Sequence, residues 1–192
     1  MTTTIEPALV RRAAEGDRAA MGDLLAEFHP RVVRYCRARL GRVGGAYTTA
    51  DDIAQEVCLA VMRALPRYRE QGKPFAAFVF AVAAHKVADA QRAAVRDSAV
   101  TATDALPDRP DAAPGPEQQA LATDLARRIS VLLDRLPATQ REIVTLRVAV
   151  GLTAEEVGTI LGMSAAAVRV AQSRALARLR TLAGERLGEV AA

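Results

Sequence analysis

The sequence predicts an all-α protein, with two helical domains joined by a flexible, acidic, proline-rich linker. Two observations carry the helical reading. Hydrophobic residues make up 51% of the chain but aromatics only 4%, and Trp is absent. Ala, Leu, Val and Arg dominate, and apolar residues recur three and four apart, with few stretches of period two. A third observation divides the chain. Residues 97–116, DSAVTATDALPDRPDAAPGP, hold Pro107, Pro110, Pro114 and Pro116, four Asp and no sustained apolar stripe. Proline removes backbone donors and biases its predecessor away from helix, so this stretch reads as linker. It separates residues 5–96 from residues 117–187 in a chain of 192, a length that suits two small domains.

In the N-terminal block a helix is expected to begin after Asp17. Met21, Leu24, Leu25, Phe28, Val32, Cys36 and Leu40 form its apolar stripe, Pro30 is a candidate kink, and Gly41, Gly44 and Gly45 end it. Thr49 and Asp52 resemble a capping box for the next helix, with Asp in place of the usual Glu or Gln. Its stripe is Ile53, Val57, Val61 and Leu65, closed by Pro66. The opposite face would carry Asp52, Gln55, Glu56 and Leu59, an acidic and amidic patch suited to another protein's basic helices. A loop, RYREQGKP, follows. A third helix is expected over about 75–96, with Phe78, Val79, Val82 and Val87 inward. In the C-terminal block, Leu121, Leu125, Ile129, Leu132, Leu133 and Leu136 mark one helix. Pro137 starts a second, carrying Ile143, Leu146 and Val150, and Gly151 stops it.

The formal net charge is +4, and the cations are clustered. Phe28 to Ala50 has no acid but holds Arg31, Arg34, Arg37, Arg39 and Arg42. Ser164 to Gly184 has no acid but holds Arg169, Arg174, Arg178 and Arg180. Such blocks fit a polyanion, although one block alone is equally a solvated helix face. The N-terminus lacks a signal-peptide core. The longest apolar run, Phe75 to Ala84, is too short for a membrane span. A cytoplasmic protein without a membrane partner is expected. Cys36 and Cys58 lie in no metal-binding spacing, and His29 and His85 stand alone. Neither paired carboxylates, a Ser-His-Asp set nor a phosphate-cradling loop is present, so no enzyme, cofactor or metal is expected.

Residues 153–182 are the most informative. Thr153 and Glu156 make a capping box. Val157, Ile160 and Leu161 give the helix that follows one apolar face. Gly158 stands where two helices must approach closely. Gly162 supplies a turn with positive φ, Met163 plugs the core there, and Ser164 caps a second helix. Val168, Ala171, Ala175, Leu179 and Leu182 would pack that helix back, leaving Arg169, Gln172 and Ser173 on one surface. This is the spacing of a DNA-binding helix-turn-helix. Arg suits guanine and Gln suits adenine in the major groove, while Arg174, Arg178 and Arg180 suit phosphates.

A helix-turn-helix alone fits a stand-alone regulator as well. The rest of the chain resembles the extracytoplasmic-function sigma factors, the minimal two-domain members of the bacterial sigma family, and most closely the actinobacterial ones. ADDIAQEVCLAVMRALPRYR (Ala50 to Arg69) resembles the family's main core-polymerase-binding region. KPFAAFVFAVAAHKVADAQR (Lys73 to Arg92) resembles its promoter-melting and −10 recognition helix, and Leu136 to Arg180 its −35-binding domain. The resemblance implies that Asp51, Asp52, Gln55, Glu56 and Leu59 meet the clamp helices of the polymerase largest subunit. It implies −10 contacts from Phe78, His85, Lys86, Asp89, Arg92 and Arg96, and −35 contacts from Ser164, Arg169, Gln172, Ser173, Arg174 and Arg178. Trp is frequent in the family at the position of Phe78 and Asn at that of His85, so the sequence departs from common members at two −10 positions and the resemblance does not fix the −10 base preference. The flap of the second-largest subunit is a further implied contact, and an anti-sigma factor is left open. Asp104, Asp108 and Asp111 of the linker either mimic nucleic acid in the RNA exit path or serve a soluble spacer.

Overall fold

The computed structural model describes residues 5–40, 50–69, 72–98 and 128–190. Among them no strand occurs. The linker call and most of the helix expected from Leu121 fall outside the described residues, as do Gly41 to Thr49.

The chain opens with a helix that the periodicity argument missed, α1 (Pro7–Ala14). Pro7 sits at its start, where a missing N–H costs nothing, and Val10 and Ala13 are buried. Asp17 then starts α2 (Arg18–Leu40). Its Oδ1 accepts from the backbone N–H groups of Ala19 and Ala20 at 2.9 and 3.1 Å, and Arg12 donates to Oδ2 at 2.6 Å. These donors, Ala20 first and Arg12 next, hold the Asp17 carboxyl below its usual range. Pro30 lies inside α2, which runs on past it. Its buried row is Ala20, Leu24, Phe28, Val32, Tyr35, Cys36 and Leu40.

Helix α3 (Ala50–Ala64) buries Ile53, Ala54, Val57, Cys58 and Val61, and a 3₁₀ turn (Leu65–Arg67) ends it. Helix α4 (Phe75–Ser98) extends two residues past the expected end. Phe75, Val79, Phe80, Ala83 and Val87 are buried, while Phe78 and Val82 are half-buried. Burial pushes the thiol of Cys36 up to about 12 and that of Cys58 up to about 11, so both stay protonated and inert near neutrality.

In the C-terminal half, residues 128–134 form the described part of α5. Helix α6 (Ala138–Val144) follows Pro137 and passes into a π turn (Thr145–Ala149). Gly151, with φ 84°, makes the stop. Helices α7 (Ala154–Leu161) and α8 (Ala165–Val190) complete the chain.

The two halves share one core. Ile143, Leu146, Val150, Leu152, Val157 and Val168 belong to the same buried cluster as Leu24, Val32, Tyr35, Val79 and Phe80. The π turn packs on α2 and α7 packs on α4. Polar groups fix this junction. The Tyr35 hydroxyl donates to Glu142 Oε1 at 2.7 Å, Arg39 pairs with Glu142 Oε2 at 3.1 Å, and Arg34 Nε donates to the Ala149 carbonyl at 2.9 Å. Burial, followed by the Glu142 charge, raises the Tyr35 pKa well above the phenol range, so Tyr35 stays a donor.

Candidate nucleic-acid and protein interfaces

The expected helix-turn-helix is α7, the turn at Gly162 and the start of α8. The capping box is complete. Thr153 Oγ1 accepts from the Glu156 N–H at 3.1 Å, and the Thr153 N–H donates to Glu156 Oε2 at 2.7 Å. Gly162 ends α7 in the left-handed region at φ 67°. A Cβ on Gly158 would lie 2.5 Å from the Met163 carbonyl oxygen, so this position requires glycine for close approach. Ser164 Oγ accepts from the Ala167 N–H at 3.2 Å and caps α8. Val168 and Ala175 are fully buried. That burial fixes which side of α8 faces solvent.

The exposed side begins at Ala166 and continues through Arg169, Val170, Ser173, Arg174 and Arg178, three and four residues apart. Four of the six nominated −35 residues, Arg169, Ser173, Arg174 and Arg178, therefore share one acid-free stripe. Ser164 is exposed at its N-terminal end. Gln172 sits differently. It is half-buried, and its Oε1 accepts from Arg147 Nε at 3.0 Å. Arg147 also donates to the Leu152 carbonyl. Gln172 thus helps tie α8 to the π turn, a link across 25 positions that periodicity does not reveal. Arg169 has a partner too: its Nη2 lies 2.5 Å from Glu155 Oε1, both side chains being over half exposed. The α7 backbone and Arg169 together lower the Glu155 pKa, with the backbone the larger cause.

On α3, Asp52, Gln55, Glu56 and Leu59 are all exposed, as the helical spacing requires, and Leu59 keeps 51% of its surface. Asp51 turns toward α2. Arg37 pairs with it at 2.7 Å and lowers its pKa by hydrogen bond and charge. Glu56 reaches Lys86 of α4 at 2.8 Å, so the α3 patch and the nominated −10 helix meet through one ion pair.

On α4, His85, Asp89, Arg92 and Arg96 are exposed and Lys86 is half-buried. Arg92 pairs with Asp89 at 2.5 Å, as spacing of three on a helix allows. Phe78 packs into an aromatic cluster, 5.2 Å from Tyr68 and 5.8 Å from Phe75 between ring centroids. Phe75 and Phe80 are core residues. Among the described residues no His, Cys, Asp or Glu cluster could hold a metal, and no helix is long and apolar enough to cross a membrane.

This arrangement, an acid-bearing helix face, an aromatic-basic helix and a helix-turn-helix in one chain, is that of a transcription initiation factor. The sequence matches the family models sigma-70 region 2 over residues 24–97 and sigma-70 region 4 over residues 132–181. It is 59% identical over 184 residues to the ECF RNA polymerase sigma factor ShbA of Streptomyces griseus, covering 94% of this chain and 96% of that protein. It is 56% identical over 173 residues to the ECF RNA polymerase sigma factor SigD of Mycobacterium tuberculosis, covering 90% and 81%. A solved structure of CnrH in complex with the cytosolic domain of CnrY matches with a TM-score of 0.68 at 25% identity, covering 93% of this chain and 96% of that one. The chain belongs to the extracytoplasmic-function RNA polymerase sigma factors, which direct transcription initiation. The stand-alone regulator reading is thereby set aside, because region 2 occupies the N-terminal half.

Proposed function

We propose that this sigma factor divides its work among three surfaces. The α3 face of Asp52, Gln55, Glu56 and Leu59 docks on the clamp helices of core RNA polymerase, with Asp51 bracing it against α2. Helix α4 meets the −10 element through His85, Lys86, Asp89, Arg92 and Arg96, and Phe78 lies at the edge of that surface. Helix α8 enters the major groove of the −35 element with Arg169 and Ser173, while Arg174 and Arg178 bind phosphates and Ser164 stands at its N-terminal end. Gln172 acts from behind, by holding α8 to Arg147. Residues 5–96 and 117–187 are the two working domains and 97–116 their linker. The protein works in the cytoplasm, without catalysis of its own.

The observation that carries the reading is the acid-free stripe on α8, set by the buried Val168 and Ala175 behind it. The related CnrH was captured with the cytosolic domain of CnrY. A protein that restrains the sigma factor is part of the proposal for this chain as well. Run-off transcription with core polymerase on a library of randomised promoters tests the whole reading. Specific transcripts from one enriched pair of elements are expected, and transcripts that do not depend on this protein would refute it.

A further inference from the structure

The recognition helix exposes an apolar side chain among its cations. Val170 keeps 50% of its surface, and it lies between Arg169 and the Ser173–Arg174 pair on the solvent side of α8. Neither folding nor helix formation calls for it. Val is a weaker helix former than Ala, Leu or Arg, and this side chain lies outside the buried core. The first turn of α8 is Ala165, Ala166 and Ala167, short side chains without a hydrogen-bonding group. Arg169 and Val170 are the first exposed side chains of the helix longer than alanine. A recognition helix places that part nearest the bases.

The chemistry of the groove then leaves one match. Val can neither donate nor accept a hydrogen bond. In the major groove, adenine, guanine and cytosine are distinguished by nitrogen and oxygen groups, and thymine alone also presents a methyl, on C5. Beside Val170, Arg169 has its own hydrogen-bonding partner on the protein, Glu155. We infer that Val170 is a specificity-determining residue that packs against a thymine methyl in the −35 element. The inference rests on α8 being the −35 reader, as proposed above.

The test uses holoenzyme assembled from the full chain and core polymerase. The −35 element is first selected from a randomised library, and each of its thymines is then replaced singly by deoxyuridine. That exchange deletes the C5 methyl and leaves every hydrogen-bonding group in place. At one position the wild type should bind the uracil promoter about three- to fivefold more weakly, the weight of one buried methyl. Val170→Ala should bind the thymine and uracil promoters equally at that position. The comparison is internal to each variant, and Ala at an exposed helical site favours the helix, so folding does not confound it. A selected element without thymine would overturn the inference. So would a thymine preference that survives in Val170→Ala. If holoenzyme opens no promoter in the library, the sigma reading itself fails, which is a distinct result.

Discussion

Helix α3 buries Ile53, Val57 and Val61 and turns Asp52, Gln55, Glu56 and Leu59 to solvent. Helix α8 buries Val168 and Ala175 and turns Arg169, Ser173, Arg174 and Arg178 outward. Both helices follow one amphipathic plan, and the sign of the outer charge separates them. Acids beside an exposed Leu suit a basic protein surface, where a desolvated apolar contact supplies affinity and charge supplies orientation. Cations without acids suit phosphates, whose counterions they release. Each helix also checks its charge locally: Lys86 pairs with Glu56, and Glu155 pairs with Arg169.

The sharpest way to break this contrast is to erase the α3 face. Replacing Asp52, Gln55 and Glu56 together by Ala should weaken binding to core polymerase on the order of a hundredfold, with helicity by circular dichroism unchanged. Unaltered affinity would remove this face from the interface. An effect of similar size, on stability and confined to α7 and α8, should follow Gly158→Val. The added side chain meets the Met163 carbonyl and forces α7 from α8, costing about 2–3 kcal/mol in denaturant melts. A variant as stable as wild type would show that the turn yields without cost. The finest test splits the α8 stripe itself. Arg169→Ala should cost about 1–3 kcal/mol at one preferred base pair and relax specificity there. Arg178→Ala should weaken binding across all sequences by a smaller factor and flatten its salt dependence. Both are read as holoenzyme affinities for matched and mismatched promoters over a salt series. Equal losses on both promoters in both mutants would make Arg169 a phosphate clamp.

The sequence made the helix-turn-helix legible because its determinants are local. The capping box spans four residues, Gly158 and Gly162 flank one turn, and the burial of Val168 and Ala175 follows from helical spacing. The outward α3 face was legible for the same reason. Partners remote in sequence were not. Tyr35 meets Glu142 across 107 positions, and Gln172 meets Arg147 across 25, and no periodicity announces either pair. The proline-rich stretch marks a boundary between two helical domains but does not say how they pack. The apolar faces of α2, α4, α6 and α7 nevertheless close on one another, and no single helix pattern states which face pairs with which. Helix α1 escaped notice because eight residues carry too few apolar positions to set a period.

The junction around Glu142 has a thermodynamic consequence. A partner able to engage the two halves only when they stand apart meets just the open fraction of molecules, and its apparent dissociation constant rises by the inverse of that fraction. Tyr35 and Glu142 touch none of the surfaces assigned to DNA or polymerase, yet their hydrogen bond enters that fraction. Loosening it would multiply every such affinity by one common factor, and the ranking of one sequence against another would not move.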